Sequence, residues 1–275
     1  MTGWTLDDIP WERFDRTRVD PDIVPLIKAA CLVEYNADDY RRYLEDVFAD
    51  DPKVRKAVEG WSREEVQHGL ALGRWATLAD PAFDFDRAFR AFTTRYKLPL
   101  GASESVRGSR TGEMIARCMV ETGTSSYYTA LADATREPVL KAICRNIAHD
   151  EIAHYWLFYN HMRRYLDSEH LGMWARVRVA FSRIAETEDD ELASAYFAAN
   201  GDGGQYDRAA NFDAYRRVAL RYYRPWHVER GAGMVFKAVG VPPETRSGRF
   251  LTRLVCMMFF LKFFLKTRRM ISAAA

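Results

Sequence analysis

Cysteine is scarce in this chain of 275 residues, and the four present, Cys31, Cys118, Cys144 and Cys256, lie far apart. No disulfide framework is expected from them, and three sit in apolar helical stretches where a reduced thiol behaves as a small buried hydrophobe. Net charge is as slight: 40 basic against 38 acidic side chains leave a formal +2, with the two signs interspersed. The concentrated basic face that marks a nucleic-acid binder is therefore missing, and no nucleic-acid partner is expected. The first residues lack a basic segment followed by an apolar run, so no signal peptide is read and a cytoplasmic location is expected. The one segment that is apolar almost all round, Leu254 to Leu265, is too short to cross a bilayer and contains Lys262. With Arg253 before it and Lys266, Arg268 and Arg269 behind, residues 250–271 are expected to dock on the core or at a dimer interface, the alternative being a peripheral helix on a membrane surface. No stretch alternates convincingly as a strand does.

What remains is helical periodicity, and it implies an all-α fold. Residues 1–20 carry Pro10 and scattered aromatics without period, and read as an extended arm. Pro21 and Pro25 suit a first turn, and Ile23, Leu26, Ile27, Ala30, Val33 and Leu44 recur at helical spacing as far as Phe48, before Asp51-Pro52. A second helix is predicted from Lys53 to Leu78, then a short amphipathic one through Phe85, Phe89, Phe92 and Tyr96. A third runs from Thr111 to Thr135, and a fourth starts at Pro138 and ends near Asp167. Beyond Leu171 the loop from Asn200 to Gln205 and Val241-Pro242-Pro243 divide two or three more helices. The expected organisation is an arm (1–20), a four-helix core (21–170) and additional helices packed on the same domain (171–275).

Two of these helices carry a carboxylate and an imidazole three residues apart, Glu65 with His68 and Glu151 with His154, a spacing that places both on one helical face. Each pair is preceded by a glutamate set among apolar neighbours: Glu34 comes 31 residues before Glu65, and Glu121 comes 30 before Glu151. About thirty residues carry a chain along one helix and back to the same depth, since fifteen helical residues rise about 22 Å. Glu34 can then face Glu65 and His68, and Glu121 can face Glu151 and His154. Burying four carboxylates without cations would be severely unfavourable, whereas two divalent ions balance them. The order Glu, Glu-x-x-His, Glu, Glu-x-x-His is that of carboxylate-bridged di-iron four-helix bundles. Mixed oxygen and nitrogen donors suit two iron ions, or manganese, better than zinc.

The segments Gly60-Trp61-Ser62-Arg63-Glu64-Glu65-Val66-Gln67-His68-Gly69 and Ile147-Ala148-His149-Asp150-Glu151-Ile152-Ala153-His154 extend the match beyond the bare ligands. Over residues 10–166 the chain resembles the soluble acyl-carrier-protein desaturases of the ferritin-like superfamily. That resemblance implies a ferritin-like four-helix bundle, Thr124 near the oxygen-binding face, Asp150 as the carboxylate behind a ligand histidine (here His68), and Trp11 as an electron relay. It also implies dioxygen as oxidant, an acyl substrate on acyl carrier protein, a ferredoxin-type electron donor, a homodimer and a role in fatty acid metabolism. Tyr127, Tyr128, Trp156 and Phe158 are candidates to line a substrate channel.

Three further classes stay open. Another di-iron oxygenase or hydroxylase would keep the iron and change the substrate; the arylamine N-oxygenase variant is disfavoured because its third histidine falls at Ile147, and ribonucleotide reductase small subunits usually begin with aspartate. Iron or peroxide handling fits less well, since ferritin subunits are shorter and rubrerythrins need Cys-x-x-Cys pairs. The last is a metal-free helical interaction protein.

Overall fold

Capping residues set the starts of the helices that carry three of the four motif glutamates, Glu65, Glu121 and Glu151. Asp51 accepts hydrogen bonds from the Lys53 and Val54 amides ahead of one helix, Ser109 from Gly112 ahead of another, and Glu137 from Val139 and Leu140 ahead of a third. Pro52 and Pro138 occupy first-turn positions, where a missing amide hydrogen is harmless. The computed structural model describes residues 3–186, 190–201 and 203–273, with the backbone alone over 262–273. It is all-α, with no strand among the described residues. The helices are α1 (Val24–Tyr35), α2 (Ala37–Val47), α3 (Pro52–Ala79), α4 (Phe85–Arg95), α5 (Arg110–Ala134), α6 (Pro138–Glu169), α7 (Met173–Glu186), α8 (Asp190–Asn200), α9 (Arg208–Ala219), α10 (Pro225–Val239) and α11 (Arg246–Ala273).

Three expectations are corrected. The single helix read from Pro21 to Phe48 is broken at Asn36, whose ψ of 10° leaves the helical region while its amide returns to the Val33 and Glu34 carbonyls. Asp38 and Asp39 then stabilise the positive end of α2. The extended arm contains three one-turn 3₁₀ segments, Leu6–Asp8, Trp11–Arg13 and Arg16–Arg18. Among the described residues five α-helices, rather than two or three, follow Leu171.

Four helices position the motif residues. Contacts from Lys28–Asp80 at one end to Tyr35–Gly69 at the other make α1 and α3 antiparallel. Pairs Thr124–Glu151, Cys118–Tyr155 and Thr111–Glu169 do the same for α5 and α6, and Trp75–Glu137, His68–Asp150, Trp61–Phe158 and Asp51–Arg164 for α3 and α6. Two apolar clusters form along these helices. One gathers Ile27, Leu72, Trp75, Leu131 and Ile143, the other Val58, Ile115, Cys118, Phe158 and Met162. Glu65, His68, Glu121, Glu151 and His154 fall between these sets along their helices, and Glu34 lies at the end of α1 just past that helix's members of the first.

The later helices wrap this core: α8 packs on α1 and α4, α7 and α10 on α5, and α11 on α10. All four cysteines are buried and free. No helix among the described residues is long and apolar enough to cross a membrane. On α11 Phe250, Met257, Met258 and Leu261 are exposed, so this face of the helix is not docked on the chain's own core; the side chains from 262 lie outside the described residues.

Candidate metal centre

The six glutamates and histidines singled out by spacing are all buried, with His68 at 0% exposure. They form two groups whose donor atoms lie within 4.8 Å of one another: Glu34, Glu65, His68 and Glu151, and Glu65, Glu121, Glu151 and His154. Glu65 and Glu151 belong to both. The pairing thus differs from the expectation that each half of the sequence builds its own half-site, because the glutamate of each Glu-x-x-His pair reaches across to the other half.

Each imidazole is turned by a carboxylate behind it. His68 Nε2 lies 3.1 Å from Asp150 Oδ2, and His154 Nε2 lies 2.8 Å from Glu64 Oε2. An ionised carboxylate only accepts, so both Nε2 atoms carry hydrogen and both Nδ1 atoms face the cluster. His68 Nδ1 is 3.4 Å from Glu151 Oε1 and 3.7 Å from Glu34 Oε2, and His154 Nδ1 is 3.0 Å from Glu65 Oε1 and 3.8 Å from Glu121 Oε2. The arrangement is reciprocal: the acid preceding each pair's glutamate, Glu64 or Asp150, supports the other pair's histidine. Asp150 meets its expectation of contacting His68. Glu64 was not assigned this part, although its place directly before Glu65 mirrors that of Asp150 before Glu151.

The electrostatics is compatible with a site that could hold cations. Burial, with Glu65 beside it, pushes the Glu34 carboxyl well above 4.5, and burial with Glu151 does the same to Glu121. Burial works against a charged His154, but the hydrogen bond from Nε2 to Glu64 and the nearby Glu65 carboxylate hold its ring protonated to about 10. The buried His68 and His154 Nδ1 and Glu121 and Glu151 Oε1 atoms have no hydrogen-bond partner among the described residues. Orphaned buried donors and acceptors cost about 1–3 kcal/mol each, and these converge on common points that a metal ion can occupy. Nitrogen and carboxylate oxygen at these spacings could hold a metal ion.

Supporting contacts surround the six. Thr124 Oγ1 donates to Glu151 Oε2 at 2.6 Å and also lies near the Val120 carbonyl, so it contacts a cluster glutamate as well as its own helix. Tyr128 Oη donates to Glu34 Oε1 at 2.5 Å. Gly69 lets α3 lie against α1: a Cβ there would meet the Tyr35 backbone nitrogen at 2.6 Å.

Trp11, the relay candidate, donates from Nε1 to the Leu6 carbonyl and Arg74 covers its ring, with no hydrogen bond or ring contact to the six cluster residues among the described contacts. Trp4 takes the contact instead, donating from Nε1 to Asp150 Oδ2 at 2.6 Å with its ring stacked parallel to His68, centroids 5.9 Å apart. Gln67 holds the Trp4 carbonyl in place. The aperiodic arm gave no signal for Trp4. None of the four channel candidates borders the cavity beside the cluster. Trp156 is 41% exposed, Phe158 packs edge-on against Trp61, Tyr127 against Tyr128 and Tyr215, and Tyr128 on Glu34. The cavity that does adjoin the cluster, about 50 Å³, is lined by Val33, Ala37, Tyr40, Trp61, Arg117, Val120 and Thr124 together with the cluster glutamates.

Compared with protein-family models and with curated proteins, the chain matches none.

Proposed function

We propose that the chain is a di-iron oxidoreductase that uses dioxygen to oxidise an unactivated C–H bond, as the acyl-carrier-protein desaturases resembled by its motifs do. The observation that carries this is the sharing of Glu65 and Glu151 between two buried four-residue groups. Glu34 and His68 would hold one ion and Glu121 and His154 the other, with the shared glutamates in reach of both. Two divalent ions balance four carboxylates, and the donor set suits iron, with manganese as the second choice. Bound there, the metal pair supplies dioxygen reduction and hydrogen abstraction from carbon.

The chain's own groups do the rest. Asp150 and Glu64 fix the tautomer and direction of the two rings, and Tyr128 and Thr124 orient Glu34 and Glu151. Val33, Ala37, Val120 and Trp61 keep the adjoining cavity small and restrict water. Thr124 Oγ1 brings an exchangeable proton to that cavity. Desaturation removes two electrons and two protons from the substrate, and reducing dioxygen to two waters takes two more of each, so an external donor is required. The half-buried Trp4, hydrogen-bonded through Asp150 to His68, is the entry point we assign to electrons from a ferredoxin-type partner. An acyl carrier protein and a second copy of the chain complete the partners of this reading.

A second reading keeps the metal pair and replaces the carrier-bound acyl chain by a small molecule, as in other di-iron oxygenases. The short cavity with Arg117 beside its apolar wall favours it. Both readings predict that the reduced, iron-loaded chain consumes dioxygen, with an oxygen electrode as the readout. A reduced iron protein stable in air contradicts both.

A further inference from the structure

Arg117 is one helical turn before Glu121 on α5, about 6 Å along the axis. Its side chain is buried, with 6% of the residue exposed. A guanidinium offers five N–H donors in a planar fork, and burying them without acceptors is unfavourable. Arg117 nevertheless makes no hydrogen bond and no ion pair among the described residues, and its Nε is a buried orphan. Its one close partner is the Tyr40 ring, 4.9 Å from the guanidinium carbon. Burial opposes its charge, while Tyr40, Glu113, Glu121 and Glu191 around it keep the group ionised.

Arg117 also stands where two spaces meet. It lines the small cavity against Glu65, Glu121 and Glu151, and it lines an outer pocket of about 220 Å³ together with Tyr40, Arg183 and Glu191, which border both. A second buried orphan donor, Trp61 Nε1, borders the inner cavity. Two donors that a ligand would meet on passing from the outer pocket to the cluster, Arg117 Nε and Trp61 Nε1, therefore lack acceptors. The fork matches the two oxygens of a carboxylate, which forms short, charge-assisted, paired hydrogen bonds with it. The surrounding glutamates disfavour a dianion such as phosphate and leave room for one negative charge.

We propose that Arg117 is the anchor for the carboxylate of a small carboxylic-acid substrate, placing carbons a few bonds from that carboxylate beside Glu121 and Thr124. The inference rests on the metal-centre reading for its chemistry, but the anchoring itself belongs to the protein's own residues. It deepens the second, small-molecule reading and not the carrier-bound one: the substrate is a free acid, in which the carboxylate is not tied up as a thioester on a carrier.

The test uses the full-length protein, with iron content measured first, then isothermal titration calorimetry with butanoate, hexanoate and octanoate, the matching primary amides, and inorganic phosphate. At least one acid should bind at least tenfold more tightly than its amide and than phosphate. Arg117→Gln should lose that preference with iron content and helicity unchanged, and Arg117→Lys should recover part of it. Equal binding of acid and amide, tighter binding of phosphate, or no binding of any acid overturns the anchor in the wild-type protein alone, whatever the variants do. Undiminished acid binding by Arg117→Gln would place the carboxylate on the metal and overturn it as well. Absence of iron sinks the metal-centre reading separately, and the acid-to-amide comparison on the same metal-free protein still decides Arg117.

Discussion

At the scale of single residues, the site depends on atoms left without ordinary partners. The Nδ1 atoms of His68 and His154 face inward because Asp150 and Glu64 hold the opposite ring nitrogens. Trp4 extends the first of these contacts toward solvent. Trp4→Phe is expected to keep the metal and slow reduction by a chemical or ferredoxin-type donor about tenfold, the smaller of the losses that follow removal of a ligand's supporting partner. Trp11→Phe is expected to leave the rate alone, and stopped-flow reduction compares the two. Equal rates for Trp4→Phe and wild type would remove Trp4 from the electron path. The six cluster residues were legible because a three-residue spacing on a helix fixes which side chains share a face. Trp4 was not legible, since nothing in an aperiodic arm says where it folds back. The channel candidates rested on less: periodicity puts Tyr127, Tyr128 and Phe158 inside, but does not say which inner surface borders a cavity. Trp156 is 41% exposed and packs on Tyr155 and Tyr159.

At the scale of elements, close approach of α1 and α3 sets the separation of Glu34 from His68. Gly69 sits next to His68 and admits the Tyr35 backbone. Gly69→Ala should cost about 2 kcal/mol by overpacking and weaken metal retention, because the helices carrying Glu34 and His68 are pushed apart. Gly123→Ala, where a Cβ meets nothing within 4 Å, should instead stabilise by about 0.5–1 kcal/mol through helix propensity. Thermal melts with metal content measured on the same samples compare the two, and matching behaviour would contradict the packing argument. Helix ends were readable where a cap or proline marks them, as at Asp51-Pro52 and Glu137-Pro138. The break at Asn36 was not, because the apolar period continues through it. The C-terminal helices were undercounted because only the glycine-rich and proline-pair loops were taken as boundaries, although Pro225 opens α10.

At the scale of the whole molecule, a charged cluster sits between two apolar clusters, so stability is expected to depend on pH and, on the proposed reading, on metal. In the metal-free chain His154 is protonated to about 10 against an ordinary 6.5. A group whose folded pKa is raised stabilises fully below its unfolded pKa and ceases to as pH climbs through the folded one. His68, raised well above 6.5 by Asp150, Glu151, Glu34 and Glu65 against the pull of burial, acts in the same direction. The metal-free melting temperature should therefore fall as pH rises from 6.5 to about 10. Metal binding needs neutral rings and ionised carboxylates, so the gap between loaded and metal-free protein should widen over that range. Parallel curves would show that the six residues do not gain their stability from a metal.

The central claim is that two ions share Glu65 and Glu151, and metal stoichiometry after ferrous loading, read by elemental analysis beside the near-ultraviolet spectrum of the oxidised protein, tests it most directly. The account predicts two irons per chain with oxo-bridge absorption, occupancy falling toward one in Glu34→Ala and Glu121→Ala, and toward none in Glu65→Ala and Glu151→Ala. A folded wild-type chain that takes up no iron, or variants that keep full occupancy, would contradict it.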